Sequence, residues 1–306
     1  MLEYKVKQQK WSVDNIPAQN GRVVIVTGSS SGIGYETAKA LFDKNAIIII
    51  AVRNERKGIN AIQKIMNENA DAQIELMLID LTDLQSVRKF SDAFKQKFNR
   101  LDLLINNAGV MIPPYSKTKN GFELQFGTNH LGHFALTGLL IDLILKTKNS
   151  RIVNVSSNAH KYGNLYFDDL NWEKRKYRKW QAYGDSKIAN LYFTYELQRK
   201  LKKQDTDTII TAAHPGVTIT ELQRHSGIIN FLTGLIAMKR KQGALPTLRA
   251  AIDESAKSGD YFGPDGWQQL RGYPIKVESN KRSHDKEIAK KLWDVSEELT
   301  GVKYQL

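Results

Sequence analysis

Arg22-Val23-Val24-Ile25-Val26-Thr27 runs without a break into Gly28-Ser29-Ser30-Ser31-Gly32-Ile33-Gly34 and then into a helix-forming segment. The apolar run reads as a buried strand, and strand, glycine turn and helix in this order open a doubly wound sheet. Glycine is needed where the chain turns tightly, where backbone approaches a pyrophosphate, and where helix packs closely on strand. The anion then lies at the helix amino end, where unpaired N–H groups and the helix dipole favour negative charge. Gly-x-x-x-Gly-x-Gly in this setting predicts dinucleotide binding through Gly28, Ser30, Ser31, Gly32, Ile33 and Gly34, against the plainer reading of a solvated loop.

Further apolar runs recur near 47–52, 74–79, 101–106, 150–156 and 208–213, separated by helical stretches. That alternation predicts a parallel sheet covered on both faces. Leu101-Asp102-Leu103-Leu104-Ile105-Asn106-Asn107-Ala108-Gly109 ends a strand in amides and small residues, and Arg151-Ile152-Val153-Asn154-Val155-Ser156-Ser157 delivers paired hydroxyls to the same sheet edge. The carboxyl edge of such a sheet is where ligands bind, and hydroxyls there can hold a carbonyl oxygen. Tyr183-Gly184-Asp185-Ser186-Lys187 sets a phenol and an ammonium on one helix face,. A cation one turn away is expected to lower a phenol whose reference pKa is near 10. Alone, Tyr-x-x-x-Lys reads as an ordinary exposed pair on an amphipathic helix, and the segments around it reverse that reading,.

In order and spacing, these segments resemble the short-chain dehydrogenase/reductase family over roughly residues 11 to 300, in detail its retinol-dehydrogenase-like and WW-domain-oxidoreductase-like branch. The resemblance implies a Rossmann sheet of order 3-2-1-4-5-6-7 and a reversible hydride transfer between a nicotinamide cofactor and a carbonyl or alcohol. It implies Ser157 as the substrate-orienting serine, with Ser156 the less favoured of the pair. Tyr183 becomes the proton donor or acceptor, Lys187 the ribose-binding residue that depresses the tyrosine pKa, and Asn129 the support of a proton-relay water. Asp80 and Leu81 match the adenine-contact pair. Asn107, Ala108 and Gly109 line the crevice. Pro215 and Gly216, with Thr220, match the segment that holds the nicotinamide carboxamide, while His214 reads as structural. No metal is implied.

The choice of nicotinamide cofactor is read after the second strand, Ile47-Ile48-Ile49-Ile50-Ala51-Val52-Arg53-Asn54. An NAD enzyme places a carboxylate there for the ribose hydroxyls. Val52 stands in its place and Arg53 follows, which suits a 2′-phosphate and hence NADP(H). The plainer reading of Arg53 is a loop charge.

The chain has 306 residues, 41% of them hydrophobic, enough for one domain over 21–306 after a polar, basic extension over 1–20,. No apolar run approaches the roughly 20 residues that span a bilayer, and the first 20 residues do not read as a signal peptide or as the membrane anchor common among retinol dehydrogenases,. Zero cysteines exclude disulfides, thiolate metal sites and a cysteine nucleophile, and cytoplasmic is the default compartment,. The net charge of +13 is spread along the chain, so it implies steering of an anionic cofactor and not a nucleic-acid partner,. Lys174-Arg175-Lys176-Tyr177-Arg178-Lys179 reads as a solvated face.

Ser157 and Tyr183 stand 26 positions apart, about twice the family's usual spacing, with Tyr162, Phe167, Trp172, Tyr177 and Trp180 between them. These aromatic side chains either cover a bulky lipophilic substrate or anchor the insertion. A substrate lid is expected within 217–245, where 228–238 reads as an apolar helix, and Lys290 to Ser296 begins a terminal helix without catalytic role. The resemblance also implies a homodimer through the helices bearing Asn129 and Tyr183, which the insertion can obstruct. The rival function is a cofactor-sensing binding protein on the same fold. A light-driven ring reductase resembling protochlorophyllide reductase is weakened by the missing cysteine.

Overall fold

The structure, a computed structural model, describes residues 10–67, 73–218 and 238–306. Its framework is one eight-stranded sheet of order β3-β2-β1-β4-β5-β6-β7-β8. The strands are β1 (Val23–Thr27), β2 (Ile47–Val52), β3 (Ile74–Leu78), β4 (Leu103–Asn106), β5 (Arg151–Val155), β6 (Ile209–Ala213), β7 (Tyr261–Pro264) and β8 (Pro274–Val277). The first seven run parallel, and β8 adds antiparallel to β7. All five residues of β1 are buried, as a strand covered on both faces requires,.

The expected order 3-2-1-4-5-6-7 is extended at its edge by β8. That strand was illegible because its four residues begin with proline and leave Ile275 and Lys276 exposed. Proline cannot donate to a ladder and is tolerated at a strand's start or on an edge, so a short Pro-led stretch gives little strand signal.

Helices α1 (Gly32–Phe42), α2 (Glu55–Met66) and α6 (Arg240–Ile252) pack on one face, with Leu41, Phe42, Ile65 and Leu248 in the core. Helices α3 (Leu84–Lys97), α4 (Gly132–Lys146), α5 (Lys179–Leu201) and α7 (Lys286–Thr300) cover the other, around Phe94, Leu136, Phe193 and Trp293. The chain changes faces between β1 and β4, so connections leave those two carboxyl ends in opposite directions. This opens the crevice in which ligands of such sheets bind.

From Ala182 to Leu197 every residue of α5 except Tyr183 is buried. Leu165, Phe167 and Leu170 of the insertion pack around Ile188 and Tyr192. Trp293 of α7 packs edge-on against Phe134 and tilted against Phe193, and the Tyr304 hydroxyl donates to Phe134 O at 2.7 Å. Among the described residues no helix is long and apolar enough to cross a membrane.

Candidate active site

The β1 turn is fixed by close approach. Gly28 adopts φ +68°, and a Cβ there would lie 2.9 Å from Ala108 Cα. At Gly34 a Cβ would come within 2.4 Å of Asn107 Nδ2 and 2.6 Å of Gly28 O, so α1 reaches the strand only because it has none,. Ser31 occupies the N-cap of α1 without a side-chain cap, leaving the helix end available to an anion,.

The turn opens on a cavity of about 650 Å³ lined by Gly28, Ser30, Ser31, Gly32, Ile33, Gly34, Arg53, Asp80, Leu81, Asn107, Ala108, Gly109, Tyr183, Lys187 and Pro215. Of the other expected cofactor contacts, Gly216 lines a neighbouring cavity, and Thr220 lies outside the described residues. Thr27 ties the two strand ends together. Its hydroxyl accepts from the backbone N–H groups of Asn107 and Ala108, both at 2.9 Å, and its carbonyl accepts from Asn107 Nδ2 at 2.7 Å. The glycine cradle, the uncapped helix end and the nearby Arg53 and Asp80 fit a nicotinamide dinucleotide.

Asn129 is fully buried in a π-helical turn, Gly127–Leu131, ahead of α4. Such turns concentrate at functional sites. Its amide donates to Val110 O (3.0 Å) and Ser186 Oγ (2.9 Å) and accepts from Val110 N (2.8 Å), joining the loop after β4 to the helix that carries Tyr183 and Lys187.

The sequence reading missed His133, which sits between Asn129 O (3.0 Å from Nδ1) and Thr27 Oγ1 (2.9 Å from Nε2). A carbonyl only accepts, so Nδ1 carries the proton and Nε2 accepts from the Thr27 hydroxyl. Burial lowers this imidazole to about 4, keeping it neutral. The i,i+4 spacing of Asn129 and His133 was the available signal.

Tyr183 lies in the wall shared by the two cavities, and Ser157 lines the second, of about 940 Å³. Burial pushes the Tyr183 phenol up to about 12, against a side-chain hydrogen bond with Ser157 that pulls it down. This is opposite to the expected depression by Lys187. The ammonium lies 5.7 Å from the centroid of the tyrosine ring and gives one of its three N–H groups to Val155 O at 3.1 Å, while desolvation prevails at the phenol,. Burial also lowers Lys187, to about 8. Ser156 points elsewhere: it is buried and donates to Lys187 O at 2.8 Å.

Beside the second cavity, whose lining includes Arg178 and Trp180, long-range contacts hold the insertion. Glu123, fully buried, accepts from the Tyr177 hydroxyl at 2.8 Å and from two backbone N–H groups, and Gln125 donates to that hydroxyl and to Lys179 O, both at 2.9 Å. The insertion's aromatic residues therefore divide. Trp172 and Tyr177 anchor it and Phe167 packs on α5, whereas Tyr162 and Trp180 line the cavity.

His214 is structural, as expected: burial lowers it to about 3, its Nδ1 accepts from Gly216 N, and its Nε2 donates to Gln269 Oε1 at 3.0 Å. Of the lid and the apolar stretch 228–238, residues 219–237 lie outside the described residues, while Met238 is buried and donates its backbone N–H to Val217 O at 2.9 Å.

The short chain dehydrogenase family model matches residues 22–227. The chain is 40% identical over 290 residues to mouse retinol dehydrogenase 12, covering 93% of this chain and 88% of that one. It is also 40% identical over 293 residues to human retinol dehydrogenase 13, with 92% and 85% covered. Among solved structures, an uncharacterised protein from Mycobacterium paratuberculosis superposes with a TM-score of 0.82 at 39% identity, covering 97% of this chain and all of that one. The chain belongs to the short-chain dehydrogenase family and is an oxidoreductase built for a nicotinamide cofactor.

Proposed function

We propose that this oxidoreductase uses NADP(H) to interconvert a carbonyl and an alcohol on a predominantly lipophilic small molecule. The observation that carries the reading is the position of Tyr183, in the wall common to the cofactor-sized cavity and the cavity lined by Ser157. A group there can touch substrate oxygen while the reacting carbon faces the cofactor. When bound, the nicotinamide supplies or accepts a hydride.

The chain's own residues do the rest. Ser157 and Tyr183 bind the carbonyl oxygen, and in the reduction direction Tyr183 gives up its proton to that oxygen as the alcohol forms. Burial keeps the Tyr183 phenol protonated at neutral pH, the form from which a donor starts, and holds that proton more tightly than an ordinary phenol does,. Lys187, with Asn129 and Ser186 fixing its stretch of helix, supplies positive charge on the side from which the tyrosine is reprotonated. The preference for NADP(H) is supported by Arg53 on the cavity lining, with apolar Val52 where a ribose-binding carboxylate would stand,. The lipophilic substrate is supported by Ile33, Met111, Trp180 and Leu270 on the second cavity and by the printed names of the retinol dehydrogenase relatives.

The test is an NADPH- and NADH-oxidation screen over retinal, aliphatic and aromatic aldehydes, steroids and quinones. Turnover faster with NADPH on at least one lipophilic carbonyl is expected. Absence of turnover on every class, with the cofactor still bound, would favour the cofactor-sensing reading instead.

A further inference from the structure

The second cavity carries a polarity that a purely lipophilic substrate leaves unused. Among the described residues that line it, Lys161 and Arg178 are the charged ones, and none is an aspartate or glutamate. The nearby carboxylates are already engaged. Asp169 binds Arg175 and the backbone N–H groups of Glu173 and Lys174, Asp185 accepts from Asn164 N and Gln181 Nε2, and Glu123 accepts from Tyr177.

The placement of the two cations follows the catalytic pair. Lys161 lies four residues after Ser157, in the short helix Asn158–Tyr162, and Arg178 stands at the N-cap of α5, five residues before Tyr183. Each segment that brings a hydroxyl to the cavity therefore also brings a cation to it.

The facing wall is rigid. Gln268 and Gln269 hold left-handed backbone at φ 48° and 58°, a strained arrangement for two consecutive side-chain-bearing residues,. Asn158 Nδ2 holds both of their carbonyls, at 3.2 and 3.3 Å, and His214 holds the Gln269 amide.

We propose that the substrate is an amphiphile: its carbonyl or alcohol end at Ser157 and Tyr183, an apolar body along the cavity, and an anionic end, carboxylate or phosphate, held by Arg178 and Lys161. This rests on the oxidoreductase reading of the same cavity. A guanidinium meets either anion in bidentate geometry, and cations in a cleft with apolar walls concentrate the potential that draws the anion in. Both side chains are exposed, so each contributes roughly three- to tenfold in kcat/KM,.

The experiment compares aldehydes of one chain length ending in a carboxylate, a phosphate monoester or a methyl ester. Wild type, Arg178→Gln and the double variant Lys161→Gln/Arg178→Gln are assayed with NADPH at one low ionic strength. At least one anionic probe is expected to exceed the ester by about tenfold or more, and the larger of the two ratios identifies the anion. The ratio should fall toward one in the double variant and shrink as salt is added.

Equal or better kinetics with the ester, or a ratio that survives the double substitution, overturns the proposal. Binding of the three probes to the protein alone, read by tryptophan fluorescence, separates it from the oxidoreductase reading. Charge-selective binding without turnover keeps the anion site and defeats the reaction. Turnover without charge selectivity does the reverse, and the absence of both defeats the site.

Discussion

The cofactor side and the substrate side of this cleft are built in different ways. At the cofactor side the cradle is chiefly backbone, glycines at the end of β1 and an uncapped helix end, braced by the Thr27 hydroxyl that accepts the N–H groups following β4. At the substrate side the walls are held by side chains bound across long stretches of chain, Asn158 to the Gln268 and Gln269 carbonyls and His214 to Gln269, with Tyr177 to Glu123 anchoring the insertion behind them. A backbone cradle demands particular residues at fixed spacing and tolerates little else. A side-chain wall can be rebuilt wherever a partner is at hand, which lets one phosphate-binding frame serve many substrates.

The largest expected effect tests whether these sides form one cooperative unit. Each contains two buried imidazoles held well below the ordinary value of 6.5. His130 is lowered to about 3 in the π-helical turn that carries Asn129, where it meets Ser296 Oγ, and His133 to about 4 beside Thr27; His160 is lowered to about 4 and His214 to about 3 beneath the substrate wall. Burial is the leading cause for all four. Because the folded pKa values are depressed, the unfolded chain binds more protons between the two limits. The stability is present above about 6.5 and is lost as pH falls toward 4 and then 3,. Acid unfolding followed by circular dichroism and tryptophan fluorescence should give one coincident transition in that window. Two separated transitions would show that the sides unfold independently.

Next in size is Tyr183→Phe, which removes the oxygen at the wall between the two cavities and little else. A loss of about 10² to 10⁴ in kcat is expected, with NADPH affinity within a few-fold of wild type. Near-full activity in steady-state assays would exclude Tyr183 as the proton donor.

A crossed pair of variants then separates the sides directly. Arg53→Ala should cost roughly ten- to a hundredfold in kcat/KM for NADPH and little for NADH, since only the former carries a 2′-phosphate. Tyr177→Phe should do the opposite. It strips one donor from the buried Glu123 carboxylate, whose pKa burial already raises, and costs about 1–3 kcal/mol of stability,. It should raise KM for the carbonyl substrate by about three- to tenfold while leaving the NADPH Kd unchanged. If Tyr177→Phe weakens NADPH as much as it weakens substrate, the two sides are not separable.

The same division explains what was legible from the chain. Strands β1 to β6 are apolar runs whose ends the structure moves by only a residue or two. The Gly28 to Gly34 turn is legible because close approach excludes other residue types. The short β8 and the Glu123, Gln125 and Tyr177 network were not, since an edge strand needs few apolar residues and a hydrogen bond across some fifty positions leaves no local pattern,. The sign of the Tyr183 shift was missed for a related reason. Sequence spacing brings Lys187 to the same helix face but cannot show that its ammonium also reaches Val155 O or how deeply the phenol is desolvated. His133 was hidden behind its neighbour Asn129, and only the contact with Thr27 gives it a function.

The smallest expected effect concerns two adjacent hydroxyls that face different tasks. Ser157 lines the substrate cavity and hydrogen-bonds with Tyr183, whereas Ser156 is buried and donates to Lys187 O at 2.8 Å. Ser156→Ala removes one neutral hydrogen bond inside the packed interface of β5 and α5, and leaves a gap the size of the lost oxygen. The expected cost is about 0.5–1.5 kcal/mol in denaturant unfolding, with kcat changed by no more than about threefold. Ser157→Ala removes the cap that its hydroxyl gives Ala159 N, a cost of about 1 kcal/mol, and should lower kcat by at least about tenfold, because the hydroxyl that orients the substrate oxygen is lost,. Chemical denaturation and steady-state kinetics on both variants decide the assignment. If Ser156→Ala proves the more damaging to kcat, the hydroxyl facing the substrate is Ser156, and the register of the β5 end with respect to Tyr183 must be shifted by one residue.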